Sequence, residues 1–414
     1  MDSKHILLIS YIFPPYPGIG GRRWAKFAKY LSRKGYTIHV IHAKNPRKNE
    51  ESLWIDDIRN IPNIIRYELN SFYPEILTTT PTSLLEKIKY KIALFSINQI
   101  TKGTPYDKGV FLKNSLLKTA SKLIKEFNIK NVITSCAPFS SAYFSIELKS
   151  IYPHIKLMID LRDPWTWGSG YGFSIISNKR IAFEKKLEKK VLEIADSIFV
   201  PTEIMKLDLQ KTYTSEANKI NVLPHGFDKD EILDCTKNIN SHKTKIIFYG
   251  SLYKGIEKYM SILSNEFTKL KNELELHIYS DNLSYSDIFK NKGLLNENVF
   301  YHKPLPTIEL FKKIQDASFV LLIHPDYGIH NISTKFYEII YSKTPILYIG
   351  KKGLTSDFVT KNKIGYSFDE NEITENFSKI ILKNYPYTYN LNFNVEEYSF
   401  ETLCNNLIVS HFIL

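Results

Sequence analysis

Arginine is scarce in this 414-residue chain: there are eight, and none follows Arg180. Any cationic side-chain contact that the second half makes to a phosphate therefore falls to lysine. Cysteine is scarcer still. Cys136, Cys235 and Cys404 are far apart, odd in number and form no CxxC pair, which excludes a disulfide framework and a multi-thiolate zinc site and fits a reducing compartment. No apolar run reaches the roughly 18–20 residues of a membrane span; the longest, 5–13 and 317–323, have the length of strands. The start, Met1-Asp2-Ser3-Lys4, leads straight into a strand-like run with no small-residue cleavage site, so a cytoplasmic protein is expected. HExxH, an i, i+4 histidine pair, a GxSxG elbow and a GxxxxGK[ST] loop are all missing, which argues against zinc hydrolases, serine hydrolases and P-loop enzymes.

What is present is ordinary globular composition, 43% hydrophobic and 24% charged, in a chain long enough for two or three domains. Lys+Arg of 55 against Asp+Glu of 43 gives +12. Such an excess suits nucleic acid, an anionic membrane or an acidic substrate. A general bias toward Lys, Ile, Asn, Tyr and Phe gives the same excess without any partner.

Short β-branched runs alternate with longer amphipathic stretches, the pattern of βαβ units with helices on both faces of parallel sheets. The first series reads as strand 5–12, helix 21–34, strand 37–42, an irregular insertion, helix 111–127, strand 130–134, helix 139–149, strand 156–160, helix 178–194 and strand 196–201. A polar, Asn/Lys-rich break over 223–244, carrying Pro224 and Gly226, precedes a second series. That series reads as strand 245–249, helix 256–270, strands 273–279 and 298–302, helix 307–315, strand 318–323, helix 333–342, strand 345–349 and a last helix beyond Ser399. An α/β protein with two Rossmann-like domains is predicted, and in such sheets ligands sit just beyond the carboxyl ends of strands.

Four strand-end loops stand out. In Phe13-Pro14-Pro15-Tyr16-Pro17-Gly18-Ile19-Gly20-Gly21 the glycines allow a ligand close to the backbone at a helix start. A dinucleotide fingerprint is disfavoured, because Arg23 takes its third glycine position and no acid ends the strand at His42; a plain Pro/Gly turn would read the same way. In Asp160-Leu161-Arg162-Asp163-Pro164-Trp165, with Trp167 beyond, carboxylates and aromatic faces suit a sugar, while an internal Arg/Asp pair is the plainer reading; Asp163 is preferred to Asp160, which belongs to the strand. Tyr249-Gly250-Ser251-Leu252-Tyr253-Lys254-Gly255 suits a diphosphate held by amides and one lysine. In Asn331-Ile332-Ser333-Thr334-Lys335-Phe336-Tyr337-Glu338, Ser333 or Thr334 can cap a helix and Glu338, one turn on, can accept from vicinal hydroxyls. Asp228-Lys229-Asp230 has a DxD spacing but reads better as solvated loop than as a metal site. Over 84–95, Leu85, Ile88, Ile92 and Phe95 share a helical face with Lys87, Lys89 and Lys91 off it, as in a core helix or a membrane-surface helix.

Together these loops resemble those of the GT-B nucleotide-sugar glycosyltransferases of glycosyltransferase family four. The resemblance runs over nearly the whole chain: Gly20 and Gly21, Asp160 to Trp165, Leu223-Pro224-His225-Gly226-Phe227-Asp228, Gly250 to Gly255, and Ser333 to Glu338. It implies an acceptor-side domain over 1–225, a nucleotide-sugar domain over 226–396 and a helix over 397–414 returning to the first, with the two domains facing across a cleft. Implied donor contacts are Gly20, Gly21, Gly250, Ser251, Lys254, Pro304 and Leu305 (toward the base), Ser333, Thr334, Lys335 and Glu338 (toward the ribose). Arg162, Asp163 and Trp165 would bind the acceptor, and Asp163, Lys254 and Glu338 would carry catalysis. The chain departs from the family pattern at His330, where an earlier glutamate is usual, at the missing arginine before Lys254, and at His225, usually asparagine.

The implied activity is retaining, metal-independent sugar transfer from a nucleotide-diphosphate sugar to a glycan or lipid-linked acceptor, in assembly of O-antigen, capsule or lipopolysaccharide. No cofactor beyond that co-substrate and no nucleic-acid partner is expected, and the basic amphipathic stretch over 84–95 leaves a peripheral contact with an anionic membrane open beside the core-helix reading. The rival readings are a nucleotide-sugar epimerase or hydrolase of the same fold, and a non-enzymatic basic module binding nucleic acid or membrane.

Overall fold

The computed structural model describes residues 4–47, 50–100, 108–166, 177–231, 243–329, 332–382, 389–390 and 392–413. Trp167, Cys235, His330 and Asn331 lie outside them. The chain forms two compact units, Met1–His225 with Phe400–Leu414, and Gly226–Ser399.

The first unit is built on seven parallel strands, β1 (His5–Ser10), β2 (Thr37–Ala43), β3 (Ile64–Leu69), β4 (Asn131–Cys136), β5 (Lys156–Leu161), β6 (Ser197–Val200) and β7 (Ile220–Val222), in the order β3-β2-β1-β4-β5-β6-β7. Its helices are α1 (Arg22–Arg33), α2 (Leu84–Ile100), α3 (Lys113–Glu126), α4 (Ser140–Ile151), α5 (Asn178–Ile194) and α6 (Glu203–Thr212). The central strands are apolar on both faces because helices cover both. Leu7 and Ile9 of β1 pack with Leu116, Ala120 and Leu123 of α3. The alternate residues Ile6 and Leu8 pack with Trp24, Phe27 and Leu31 of α1 and with Phe400, Leu403 and Leu407 of the C-terminal helix (Phe400–His411).

The second unit has six parallel strands, β8 (Thr244–Tyr249), β9 (Leu274–Tyr279), β10 (Val299–His302), β11 (Phe319–Ile323), β12 (Ile346–Ile349) and β13 (Gly365–Phe368), ordered β10-β9-β8-β11-β12-β13. Helices α7 (Glu257–Lys269), α8 (Ser286–Lys290), α9 (Thr307–Gln315), α10 (Thr334–Ser342), α11 (Leu354–Asn362) and α12 (Glu370–Ile381) alternate with them, and Phe400–His411 of the first unit is α13. Ile246, Phe248 and Leu276 face α7 and α12, while Ile247, Val320 and Leu322 face α9 and α10. Register aligns Tyr249 with Tyr279 and Tyr279 with His302, so the loops after β8, β9 and β10 leave one edge together.

The stretch between β2 and α3, read from sequence as an irregular insertion, contains β3 and α2. Strand β3 carries Arg66 and Glu68 and is largely exposed, as an edge strand can be, so it shows no apolar run. The short β7, and β13 with its glycine, escaped the sequence pattern for a similar reason: pairing to a neighbour, not local apolarity, makes them strands.

Candidate functional site

In each sheet the strand order reverses beside one strand, between β1 and β4 and between β8 and β11, and side chains at those carboxyl ends are the candidates for binding. In the second unit β8 ends at Tyr249 and the chain turns at Gly250, whose φ of 96° favours glycine. Lys335, from the first turn of α10, lies beneath this turn. Its Nζ donates to the Tyr249 carbonyl at 3.0 Å, sits 4.6 Å from the centre of the Phe248 ring, and would be 3.7 Å from a Cβ placed on Gly250. Burial lowers its pKa to about 8, opposed by the charge of Glu338. The Tyr249 hydroxyl donates toward Glu338 Oε2 at 3.4 Å and the Lys335 carbonyl at 3.3 Å, which ties the end of β8 to α10.

The start of α10 is open. Ser333 occupies the N-cap position with extended backbone, yet its hydroxyl makes no cap bond and is buried with no hydrogen-bond partner. The positive end of the helix is thus left to an outside acceptor instead of to the Ser333 cap that the sequence suggested, with Thr334 following as the first helical residue. His324, just beyond β11, is a residue that sequence reasoning missed. Burial and then the Lys335 charge lower its pKa to about 4, and its Nδ1 is buried without a partner.

A cavity of about 260 Å³ opens beside this cation, lined by Tyr249, Gly250 and Ser251 after β8, Tyr279, Ser280 and Asp281 after β9, Pro304 and Leu305 after β10, and Leu310 of α9. Small-molecule sites usually start near 300 Å³, so the space suits one compact ring system with a polar group. The structure therefore brings together Gly250, Ser251, Pro304 and Leu305, with Lys335 beneath the Gly250 wall and Glu338 against Tyr249. Lys254 stands apart: it is exposed, and its charge acts on Glu257 at the start of α7. Tyr279 and Asp281 were also missed, although their place at a strand end was the signal that could have found them.

The first unit treats its strand-end groups differently. Asp160 is fully buried at the end of β5 and accepts from Arg23 Nε (2.9 Å) and Nη2 (3.1 Å) and from Trp24 Nε1 (2.7 Å). Arg23 also donates to the carbonyls of Leu223 and Pro224, both at 2.7 Å. The residue that broke the dinucleotide fingerprint is thus a strut joining α1, β5 and the end of the unit.

Two acceptor assignments are corrected. Arg162 donates to the carbonyls of Cys136 (2.7 Å), Gly20 (2.7 Å) and Ala137 (3.2 Å), so it braces the loops after β1 and β4 and its guanidinium is largely used internally. Trp165 is 1% exposed, stacks on Phe139 with centroids 5.0 Å apart and donates Nε1–H to Glu184 at 2.8 Å; it is a core residue, not an open platform for a sugar. Gly20 and Gly21 lie where a side chain would crowd its neighbours. A Cβ on Gly20 would lie 3.1 Å from Arg162 Nη1, and one on Gly21 would lie 3.3 Å from Pro14 Cδ. Asp163 is different from these. It accepts no hydrogen bond from a described residue, and burial raises its pKa against the opposing charge of Arg162.

No family model and no curated protein matches this sequence. Solved structures do match over almost the entire chain. Anabaena HepE in complex with UDP-glucose aligns with a TM-score of 0.61 at 10% identity, covering 98% of both chains. The lipopolysaccharide outer core galactosyltransferase WaaB aligns at 0.60 and 12% identity, over 99% of this chain and 100% of that one. The UDP-GlcNAc 2-epimerase of Neisseria meningitidis bound to UDP-GlcNAc aligns at 0.56 and 14% identity, over 98% of both. At these identities the likeness shows the fold, which is GT-B: α/β with two Rossmann-like units.

Proposed function

We propose that the protein is a retaining glycosyltransferase that takes a sugar from a nucleotide-diphosphate donor and passes it to a glycan or lipid-linked acceptor in surface polysaccharide assembly. One observation carries this reading: a buried lysine ammonium lies directly beneath the Gly250 turn, at an uncapped helix start and beside a cavity the size of a base. A diphosphate laid over Gly250 and Ser251 would meet the Lys335 charge and the amides of α10, in place of a metal ion, with Lys254 closing from the rim. Pro304 and Leu305 would hold the base, and Glu338 would accept from the ribose. As the bond from the anomeric carbon to the diphosphate oxygen breaks, the new negative charge falls on groups already oriented toward it, which is where the barrier is lowered. The acceptor oxygen bonds to the same face of that carbon and its proton passes to the departing phosphate. Asp163, a carboxylate that accepts no hydrogen bond from a described residue, would orient a sugar hydroxyl in the first unit.

The printed ligands of the fold neighbours, UDP-glucose and UDP-GlcNAc, make uridine diphosphate sugars the first donors to try. A thermal-shift series of nucleoside diphosphate sugars with chelator present should show one raising the melting temperature, since a ligand of the native state adds stability. Product analysis with that donor, with and without oligosaccharide acceptors, should show turnover only with acceptor. Conversion of the donor alone to an epimer or to free sugar would replace transfer by the rival chemistry, and no shift with any donor would defeat both.

A further inference from the structure

Helix α2 turns an apolar face to solvent. At 3.6 residues per turn Leu84, Phe95, Ile88, Ile92 and Leu85 fall within an arc of about 100°. They are 75, 66, 48, 62 and 72% exposed. The opposite side is already seated on the unit, where Ile97 is 3% exposed. The apolar arc is therefore not the face that folding uses.

Charge says what covers it. On the same helical wheel Lys91 and then Lys87 border the arc on one side and Lys89 borders it on the other, all three exposed. The single acid of the helix, Glu86, is held at the helix start by the amides of Thr82 (2.7 Å) and Ser83 (3.2 Å) and the Thr82 hydroxyl (2.9 Å). Burying the arc against a second copy about a two-fold axis would bring like-charged borders together. An anionic bilayer instead offers acyl chains to the arc and phosphates to both borders at the same depth. Among the described residues no helix is long and apolar enough to cross a membrane, so contact through α2 lies in the plane of the surface.

We propose that α2 docks the protein onto an anionic lipid bilayer, with Leu84, Leu85, Ile88, Ile92 and Phe95 among the acyl chains and Lys87, Lys89 and Lys91 on the head groups.

The test is co-sedimentation of the full chain with vesicles of phosphatidylcholine, alone or mixed with phosphatidylglycerol. The wild type should bind the mixed vesicles at least ten-fold more tightly. The pair Ile88→Glu and Phe95→Glu should lower that binding by roughly ten-fold or more. Each of Lys87→Gln, Lys89→Gln and Lys91→Gln should lower it by about five-fold and flatten its salt dependence. Circular dichroism checks that every variant is folded, and the lysine variants, which touch no packed group, keep the test open should the glutamate pair misfold. A Phe95→Trp variant should show blue-shifted emission on the mixed vesicles. Absent or charge-independent binding, or binding unchanged in the variants, would overturn the proposal. So would a dimer in sedimentation velocity, without vesicles, that the glutamate pair abolishes. Binding is read without any donor, so a failure of the transfer reading leaves this result untouched, and the converse holds.

Discussion

The two units share a strand order but treat the charged groups at the carboxyl ends of their strands differently. Around β1, β4 and β5 of the first unit most charged groups are tied into the fold, Arg23 with Asp160, Leu223 and Pro224, and Arg162 with Gly20, Cys136 and Ala137, while Asp163 and the hydroxyls of Ser135 and Ser140 are not. Around β8 and β11 of the second, Lys335 donates to one carbonyl beside two aromatic rings and the charge of Glu338, a serine stands at an N-cap that it does not cap, and a histidine keeps a bare ring nitrogen. Saturated loops hold a fold in place, whereas buried unsaturated ones carry a cost that a ligand can relieve. On the proposed function, the same topology would supply mainly a scaffold in one unit and the donor site in the other.

Substituting one charge from each unit separates those roles most sharply. Arg23→Ala strands the buried Asp160 carboxylate and should destabilise the first unit by about 3–5 kcal/mol. Tryptophan fluorescence during urea unfolding reads this directly, because all four tryptophans precede residue 168. Lys335→Ala removes an ammonium that burial penalises, so it should leave stability equal or higher while lowering transfer by roughly 100-fold. If Lys335→Ala unfolds the protein and Arg23→Ala does not, the contrast between the units is wrong.

The titration of Lys335 sharpens the comparison further. A diphosphate favours the protonated lysine, so binding raises its pKa and takes up a proton once the free protein has lost it. Donor affinity should therefore hold below about pH 8 and fall above it, by at most about ten-fold per pH unit, and Lys335→Ala should flatten the profile. In stability the sign reverses. The lysine pKa is lower in the folded state than in the unfolded one, so its penalty is full below about pH 8 and fades as pH rises toward the ordinary lysine value of 10.5. Calorimetric titration with the donor across pH 7–9 reads the first effect and thermal melts without ligand read the second.

The smallest expected change in stability comes from Asp163→Asn. Asp163 has a raised folded pKa, so its ionised form costs stability at neutral pH, and the amide should keep or raise the melting midpoint by no more than the equivalent of about 1 kcal/mol. Transfer should fall by roughly ten-fold or more in steady-state kinetics if the carboxylate orients a sugar hydroxyl. A marked loss of stability would move Asp163 among the struts with Arg162.

Most elements were legible because local pattern and tertiary role agree. Helices α5 and α9 have the bounds their periodicity predicts, 178–194 and 307–315, and the central strands are continuous apolar runs because both faces are buried. At the site, Gly250 and Ser251 were read as strand-end residues and Pro304 and Leu305 came with the resemblance; all four line one cavity. The choice between Lys254 and Lys335 could not be read. Both are lysines near a glycine turn, and only the packing of α10 against β8 puts one of them beneath it.

The order of apolar runs and turn residues was enough by itself to predict two series of βαβ units, because period and length of hydrophobic segments select helix or strand before any long-range contact forms; the GT-B class came from the resemblance of the loops between them. Tertiary structure decided which polar side chains are consumed and which are left over. That depends on whether a partner distant in sequence arrives within hydrogen-bond reach, as Arg23 does for Asp160 across 137 positions and as nothing described does for the Ser333 hydroxyl.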